Sequence, residues 1–154
     1  RTRSATRNSG SPDWRVPMWH VLGDHTPTGL RVSEIVVVRN PADHTWIGTL
    51  DTRATEGARR VTTVFTLPPG ARDVTLGSGF HDWCCTTLAD GTLINHLPLM
   101  PGTTEFKFRY VVPASGGTVT LEPAAPAVRQ DLARLSRDRA RDTPNTRNPG
   151  RRDA

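Results

Sequence analysis

The sequence predicts an all-β chain built around a single antiparallel β-sandwich of about seven to eight strands. Between residues 30 and 121, short runs rich in β-branched and aromatic residues alternate with turn-forming residues at spacings of about ten to fifteen positions, which is typical of such sandwiches. The chain has 154 residues, which suffices for one ordinary domain. A helical period occurs in one short stretch near the C-terminus.

The N-terminal region divides into two predicted segments. Residues 1–13 are polar and basic and have no apolar period, so we expect a disordered basic arm. Residues 14–29 mix aromatic side chains with two prolines, which favours an extended aromatic linker. Its larger apolar side chains would pack onto the body of the domain; these are Trp14, Met18, Trp19 and Leu22.

The first half of the sandwich, residues 30–67, is predicted to contain three strands. Residues 30–39 are rich in β-branched side chains, and the Asn-Pro pair that follows them is typical of a type I turn. A short strand at 45–50 would complete a hairpin with the first strand. Residues 61–67 alternate between two faces and end at a Pro-Pro-Gly sequence, which stops a strand.

The second half begins with three shorter predicted strands. Residues 74–76 form the first, and residues 80–87 form the second, which would carry both cysteines. Asp90 and Gly91 form a tight-turn pair that would connect this second strand to the third, at 92–97, in a hairpin.

The strand at 105–112 has the clearest alternation in the sequence. Its aromatic residues Phe106, Phe108 and Tyr110 alternate with cationic residues. Sheets that bind single-stranded nucleic acid show a similar alternation. A sandwich strand with one buried face places such rings in the core, so we expect the three rings to be buried.

The C-terminal region starts with a last predicted strand at 118–121. Residues 122–154 are predicted to form a marginal helix followed by a disordered, arginine-rich tail. Only three apolar residues follow a helical spacing, and they make a narrow stripe; they are Val128, Leu132 and Leu135.

The net charge of +5 comes from the two ends of the chain. Residues 1–15 carry +3 and residues 122–154 another +3, whereas residues 16–121 carry −1. The nearly neutral body argues against a specific nucleic-acid partner and leaves weak polyanion binding through the arginine-rich ends as one alternative function. No apolar run approaches the roughly 20 residues of a membrane-spanning helix, so we expect a soluble chain without a transmembrane segment.

Cys84 and Cys85 are the only cysteines, and they are adjacent. Because a disulfide between neighbours closes a strained eight-membered ring, we expect two thiols, or one bond to another chain. On a strand, one thiol would face the core and the other would face outward. The alternative is a metal or redox site formed with His81 and His96, since thiolate and imidazole are ligands that Zn²⁺ and copper prefer. The main hypothesis has no cofactor.

No motif in the sequence indicates an enzymatic reaction. The Gly-Ser-Gly sequence at 77–79 is too short for a nucleophile elbow, and no phosphate-binding loop or paired carboxylates are evident. His20 and His25 would bind a metal only on an ordered scaffold, and exposed loop histidines are the simpler interpretation. We therefore expect no catalytic residues and no enzymatic activity.

Four elements carry a resemblance to a known family. They are VSEIVVVRNPADHTWIG, LPPGARDV, the CC pair before DGTLINHLPLMPG, and FKFRYVVP. Their order over residues 30–121 resembles a bacterial cell-envelope module of uncharacterised role that often lies beside carboxypeptidase-regulatory-like, immunoglobulin-like domains. The resemblance implies an extracytoplasmic, immunoglobulin-like β-sandwich without known catalysis. Family members tend to have a membrane anchor after the last strand, where this chain has its arginine-rich segment.

These observations together predict a non-enzymatic binding or structural module of the bacterial cell envelope. The expected partner is a protein or an envelope polymer. The alternatives are a metal or redox module that uses Cys84 and Cys85, and a polyanion binder that uses the arginine-rich ends.

Overall fold

The computed structural model describes residues 6–7, 13–50, 59–119 and 121. In chain order the strands of this part are β1 (Thr6–Arg7), β2 (Arg15–Thr26), β3 (Gly29–Asn40), β4 (Thr45–Trp46), β5 (Thr49–Leu50), β6 (Arg60–Val61), β7 (Thr63–Thr66), β8 (Arg72–Leu76), β9 (Thr86–Ala89), β10 (Thr92–Asn95) and β11 (Gly102–Pro113). A four-stranded sheet has the order β2-β3-β11-β8, and a three-stranded sheet has the order β7-β10-β9. Both are antiparallel, and β5–β6 and β1–β4 form two smaller pairs.

The predicted all-β class is confirmed for the part of the chain that the structure describes, which contains no helix. In that same part we find no helix with the length and apolarity that a membrane crossing requires. The predicted C-terminal helix and tail lie outside the described residues, as does most of the predicted disordered arm. Most of the arginine-rich ends, on which the polyanion alternative depends, therefore lie outside the described residues.

The four-stranded sheet is organised by β3 and β11. These strands pair along their whole length, from Gly102 opposite Asn40 to Pro113 opposite Gly29. Both predicted strands are confirmed, and each is longer than expected. Along most of both strands, buried positions alternate with more exposed ones, so one face of the pair is buried and the other is half-buried or exposed.

The segment predicted as an extended linker is strand β2 of this sheet. It pairs with the edge of β3 that β11 does not occupy, and Trp19 lies opposite Val36 on the inner face. Pro17 falls where the register is irregular, between Arg15 and Met18, so its missing N–H does not interrupt the regular ladder. β2 is an edge strand, and only part of its inner face is covered. Fewer of its positions therefore require apolar residues, and its sequence alternates less clearly than that of a fully covered strand.

The predicted hairpin between residues 30–39 and 45–50 is wrong. The turn itself is present, because the Asn40 side chain accepts a hydrogen bond from the Ala42 N–H at 3.1 Å. The chain then leaves the sheet, and Trp46 forms a bridge with Leu99 instead. The physical reason is that β2 and β11 already occupy both edges of β3.

The core contains a cluster of four phenylalanines from three parts of the chain. Phe65 and Phe80 pack on Phe106 and Phe108 of β11, with ring centroids 5.1–5.8 Å apart. The predicted burial of the β11 rings is confirmed, since Phe106, Phe108 and Tyr110 are 0%, 4% and 0% exposed. Nucleic-acid bases therefore have no access to these rings.

The hairpin in the three-stranded sheet forms at the predicted turn. Asp90 and Gly91 both have positive φ angles, 50° and 69°, as a type I′ turn requires. The predicted strand at 61–67 is instead divided at Thr62, whose N–H donates to the Asn95 carbonyl at 2.9 Å. The predicted strand at 118–121 is not a strand where the structure describes it; its apolar residues Val119 and Leu121 pack half-buried against the core.

We expect the substitution Phe108→Ala to lower the free energy of unfolding by about 3 to 5 kcal/mol, because it removes a ring that packs on three others. The neighbouring exposed residue Arg109 supplies the control, and Arg109→Ala should change stability by less than about 0.5 kcal/mol. Urea denaturation measures both. A near-neutral effect of Phe108→Ala would contradict the packing described above.

Candidate functional site

Residues 77–80 connect β8 to the turn that follows at 81–85, and they place the ring of Phe80 in the core. Gly77 N–H donates to the Lys107 carbonyl at 2.8 Å, which ties this connection to β11. Gly79 has a φ of 85° and lies against the β11 backbone, so a side chain there would collide with Phe106. The tight turn directs Phe80 into the phenylalanine cluster.

Residues 81–85 form a turn, which we call the Trp83 turn. The Cys85 N–H donates to the His81 carbonyl at 2.8 Å and closes it, and β9 begins at Thr86. The predicted strand at 80–87 is therefore wrong for its first six residues, and the hairpin does not carry the cysteines. Internal hydrogen bonding within the turn replaces the ladder that a strand would need.

Cys84 and Cys85 are joined to each other by a disulfide bond. The expectation of two thiols on opposite faces is thus wrong for this structure. That expectation assumed an extended strand, in which adjacent side chains point to opposite faces. The turn instead brings the two sulfur atoms together. Both cysteines are half-buried.

Hydrogen bonds hold both ends of the Trp83 turn. The His81 N–H donates to the Thr86 hydroxyl at 3.2 Å, and the His96 N–H from the end of β10 donates to the Cys85 carbonyl at 2.8 Å. Arg59 donates to the Cys84 carbonyl at 3.2 Å. The base of the turn is thereby connected to the three-stranded sheet.

Trp83 lies at the tip of this turn and is 82% exposed. One face of its indole stacks on the His81 ring, with centroids 6.0 Å apart and planes inclined by 21°. The other three tryptophans are buried or half-buried. Trp83 is therefore a large apolar side chain held away from the core by the turn that carries it.

Backbone hydrogen bonds of Cys85 with His81 and with His96 connect the residues of the metal hypothesis, but their side chains are otherwise engaged. The two sulfurs are bonded to each other, His81 stacks on Trp83, and the His96 Nδ1 lies 2.9 Å from the Arg60 carbonyl. Within the described ranges, no group of three or more His, Cys, Asp or Glu side chains is arranged to hold a metal ion. The zinc or copper site stays a prediction for the reduced protein.

The second histidine pair is not brought together. His20 lies opposite Ile35 and His25 lies opposite Leu30 in the β2–β3 ladder. Positions 20 and 25 differ by an odd number, so their side chains lie on opposite faces of the sheet.

A buried carboxylate, Glu34, was missed by the sequence reasoning. Glu34 lies on the inner face of β3 and is 4% exposed. Its two oxygens accept hydrogen bonds from the Tyr110 hydroxyl at 2.6 Å and the Trp19 Nε1–H at 2.8 Å. The available signal was a glutamate at an inner-face position of the β-branched run, between Val32 and Val36.

This network holds Tyr110 in its neutral form. Burial raises the pKa of Tyr110 well above its usual range, and the hydrogen bond and negative charge of Glu34 raise it further. Each Glu34 oxygen has one donor, and the group has no access to a ligand. We interpret the network as a structural one that links β2, β3 and β11.

Comparisons of this chain with protein-family models, with curated proteins and with solved structures find no match. The resemblance to cell-envelope modules therefore stays a prediction. The geometry of the Trp83 turn provides the basis for a functional assignment.

We expect the native protein to contain no free thiol. Alkylation in denaturant without a reductant should label neither cysteine, and alkylation after treatment with dithiothreitol should label both, because the only two cysteines are bonded to each other. Mass spectrometry of the whole chain measures the added groups. Labelling of both cysteines without reductant, or a disulfide-linked dimer, would contradict the intramolecular bond.

We expect stability to fall at alkaline pH because Tyr110 is protonated in the folded state. The pKa of a tyrosine in the unfolded chain is about 10 and that of folded Tyr110 is higher, so unfolding above about pH 10 releases a proton. This contribution is complete below about pH 10 and is lost as the pH rises, by about 1.4 kcal/mol per pH unit.

Tyr110 is the only tyrosine, so tyrosinate absorbance reports it alone. The absorbance should appear together with loss of the native circular dichroism, and Tyr110→Phe should lack this part of the pH dependence. An ordinary tyrosine titration in the still-folded protein would refute the burial of the hydroxyl.

Proposed function

We propose that this chain is a non-enzymatic binding module of the bacterial cell envelope, with an immunoglobulin-like β-sandwich as its scaffold and the Trp83 turn as its binding surface. The observation that carries the proposal is the 82% exposure of Trp83 at the tip of a closed turn. The order of strand and turn motifs supports the envelope module, and the aromatic core shared by residues of both larger sheets supports the sandwich.

Burial of the Trp83 ring by a partner would be favourable. An indole exposes a large apolar area to water, and its burial contributes about 25 cal/mol for each Å² removed. Tryptophan is also among the residues that most often dominate binding energy at interfaces. The Trp83 ring is available for such a contact, whereas Trp46 is only 7% exposed.

The turn reduces the entropy that binding would cost. The disulfide joins two of its five residues, and the hydrogen bonds to Thr86 and His96 restrain its ends. A ring that is already held in place loses less conformational freedom when a partner covers it. A rigid base with an exposed aromatic tip therefore suits a recognition role.

The disulfide also supports an extracytoplasmic location. Disulfides persist in oxidising compartments such as the bacterial periplasm and cell surface, and they are rare in the reducing cytosol. The Cys84–Cys85 bond is thus consistent with a module exported to the envelope.

We expect Trp83→Ala to reduce retention of the full chain on an isolated envelope fraction of the source bacterium by about tenfold or more, equivalent to about 1.4 kcal/mol. The control is Leu22→Ala, since Leu22 is an exposed apolar residue, 56% accessible, on the edge strand β2. Neither variant should change the melting temperature, which excludes unfolding as the cause. Equal retention of Trp83→Ala and the unmodified chain would refute the proposal.

A further inference from the structure

We infer that the Trp83 turn binds the flat face of a pyranose ring in a neutral, β-linked polysaccharide. This inference rests on the proposed function and names the ligand class of the same site. It commits to a saccharide where the proposed function leaves the ligand open between a protein and an envelope polymer.

The stacking geometry leaves one face of the indole open. His81 covers the other face at a centroid distance of 6.0 Å, and Trp83 as a whole remains 82% exposed. The face of an aromatic ring is electron-rich. A pyranose with equatorial substituents presents axial C–H bonds, which carry partial positive charge, on its flat faces. The two surfaces are therefore complementary in shape and in polarity.

The turn that carries the ring also has polar residues, which suit the hydroxyl groups of a sugar. Asp82 and His81 are exposed in the turn itself, and the exposed Arg59 contacts the Cys84 carbonyl. A carboxylate accepts hydrogen bonds from hydroxyls, and a guanidinium has five N–H donors. The turn and the arginine bonded to it therefore have both donors and acceptors.

A neutral saccharide fits these residues better than a protein or a polyanion. A stable protein interface buries about 1,200–2,000 Å² around a largely apolar centre, whereas the Trp83 turn offers one large apolar ring among polar residues. Asp82 and Arg59 carry opposite charges, so the turn does not favour an anionic polymer. One exposed aromatic ring on a polar turn corresponds in size to one sugar unit of a chain.

The test is a titration of the full, oxidised chain with three soluble probes: the hexamer of β-1,4-linked N-acetylglucosamine, cellohexaose, and a β-1,4-linked galactose hexamer. Tryptophan fluorescence and saturation-transfer NMR detect binding. We expect at least one of the three probes to bind, with saturation transferred to the C–H protons on one face of its ring. A preference between the first two distinguishes a cell-wall glycan from a glucan.

Substitutions at position 83 separate aromatic stacking from a general apolar contact. Trp83→Tyr should keep part of the affinity, whereas Trp83→Leu should lose about tenfold or more, as Trp83→Ala does, because leucine has no aromatic face. Leu88→Ala removes an exposed apolar residue of β9, outside the Trp83 turn, and should leave the affinity unchanged. Full affinity in Trp83→Leu would overturn the inference.

Failure of this inference is distinguishable from failure of the proposed function. Absence of binding to all three probes at millimolar concentration would overturn the saccharide assignment. So would Trp83-dependent retention on the envelope fraction that disappears when the fraction is treated with protease, and this result would indicate a protein partner while leaving the proposed function intact. Retention that does not depend on Trp83 would overturn both.

Discussion

The full-length pairing of β3 with β11 is the constraint on which the other features depend. It creates one continuous inner face, and the rings of Phe106 and Phe108 on that face are the surface on which Phe65 and Phe80 pack. The β11 backbone also holds the connection after β8, through hydrogen bonds of Lys107 with Gly77 and Ser78. The position of the Trp83 turn is thus set indirectly by β11.

The Trp83 turn combines a fixed base with an exposed tip. Its N-terminal side is anchored by Phe80 in the core, and its C-terminal side is anchored to the three-stranded sheet by His96. The disulfide between Cys84 and Cys85 restrains the intervening backbone. A surface tryptophan on a flexible loop would lose more entropy on binding, so these anchors support the binding role that we propose for Trp83.

The core also contains a carboxylate, whose burial is made possible by hydrogen bonds. Glu34 would be costly to bury alone, but each oxygen receives a hydrogen bond, one from Tyr110 and one from Trp19. The Trp19 contact ties the edge strand β2 to the sheet through a side chain as well as through the backbone ladder. β2 thus belongs to the sheet although its sequence has little strand-like alternation.

The sequence by itself determined the features that depend on neighbouring residues. The two-residue alternation of β11 and the positive φ angles that Asp90 and Gly91 adopt are local properties, and both were predictable. The tertiary structure alone decided the partners of β3, because strand pairing joins residues far apart in the chain. The tertiary structure also determined which aromatic residue forms the candidate site. Phe80 and Trp83 are both aromatic and lie three positions apart, and nothing local determines which one enters the core. The tight approach of Gly79 to β11 points Phe80 inward, and the closed turn with its Cys84–Cys85 bond leaves Trp83 in water.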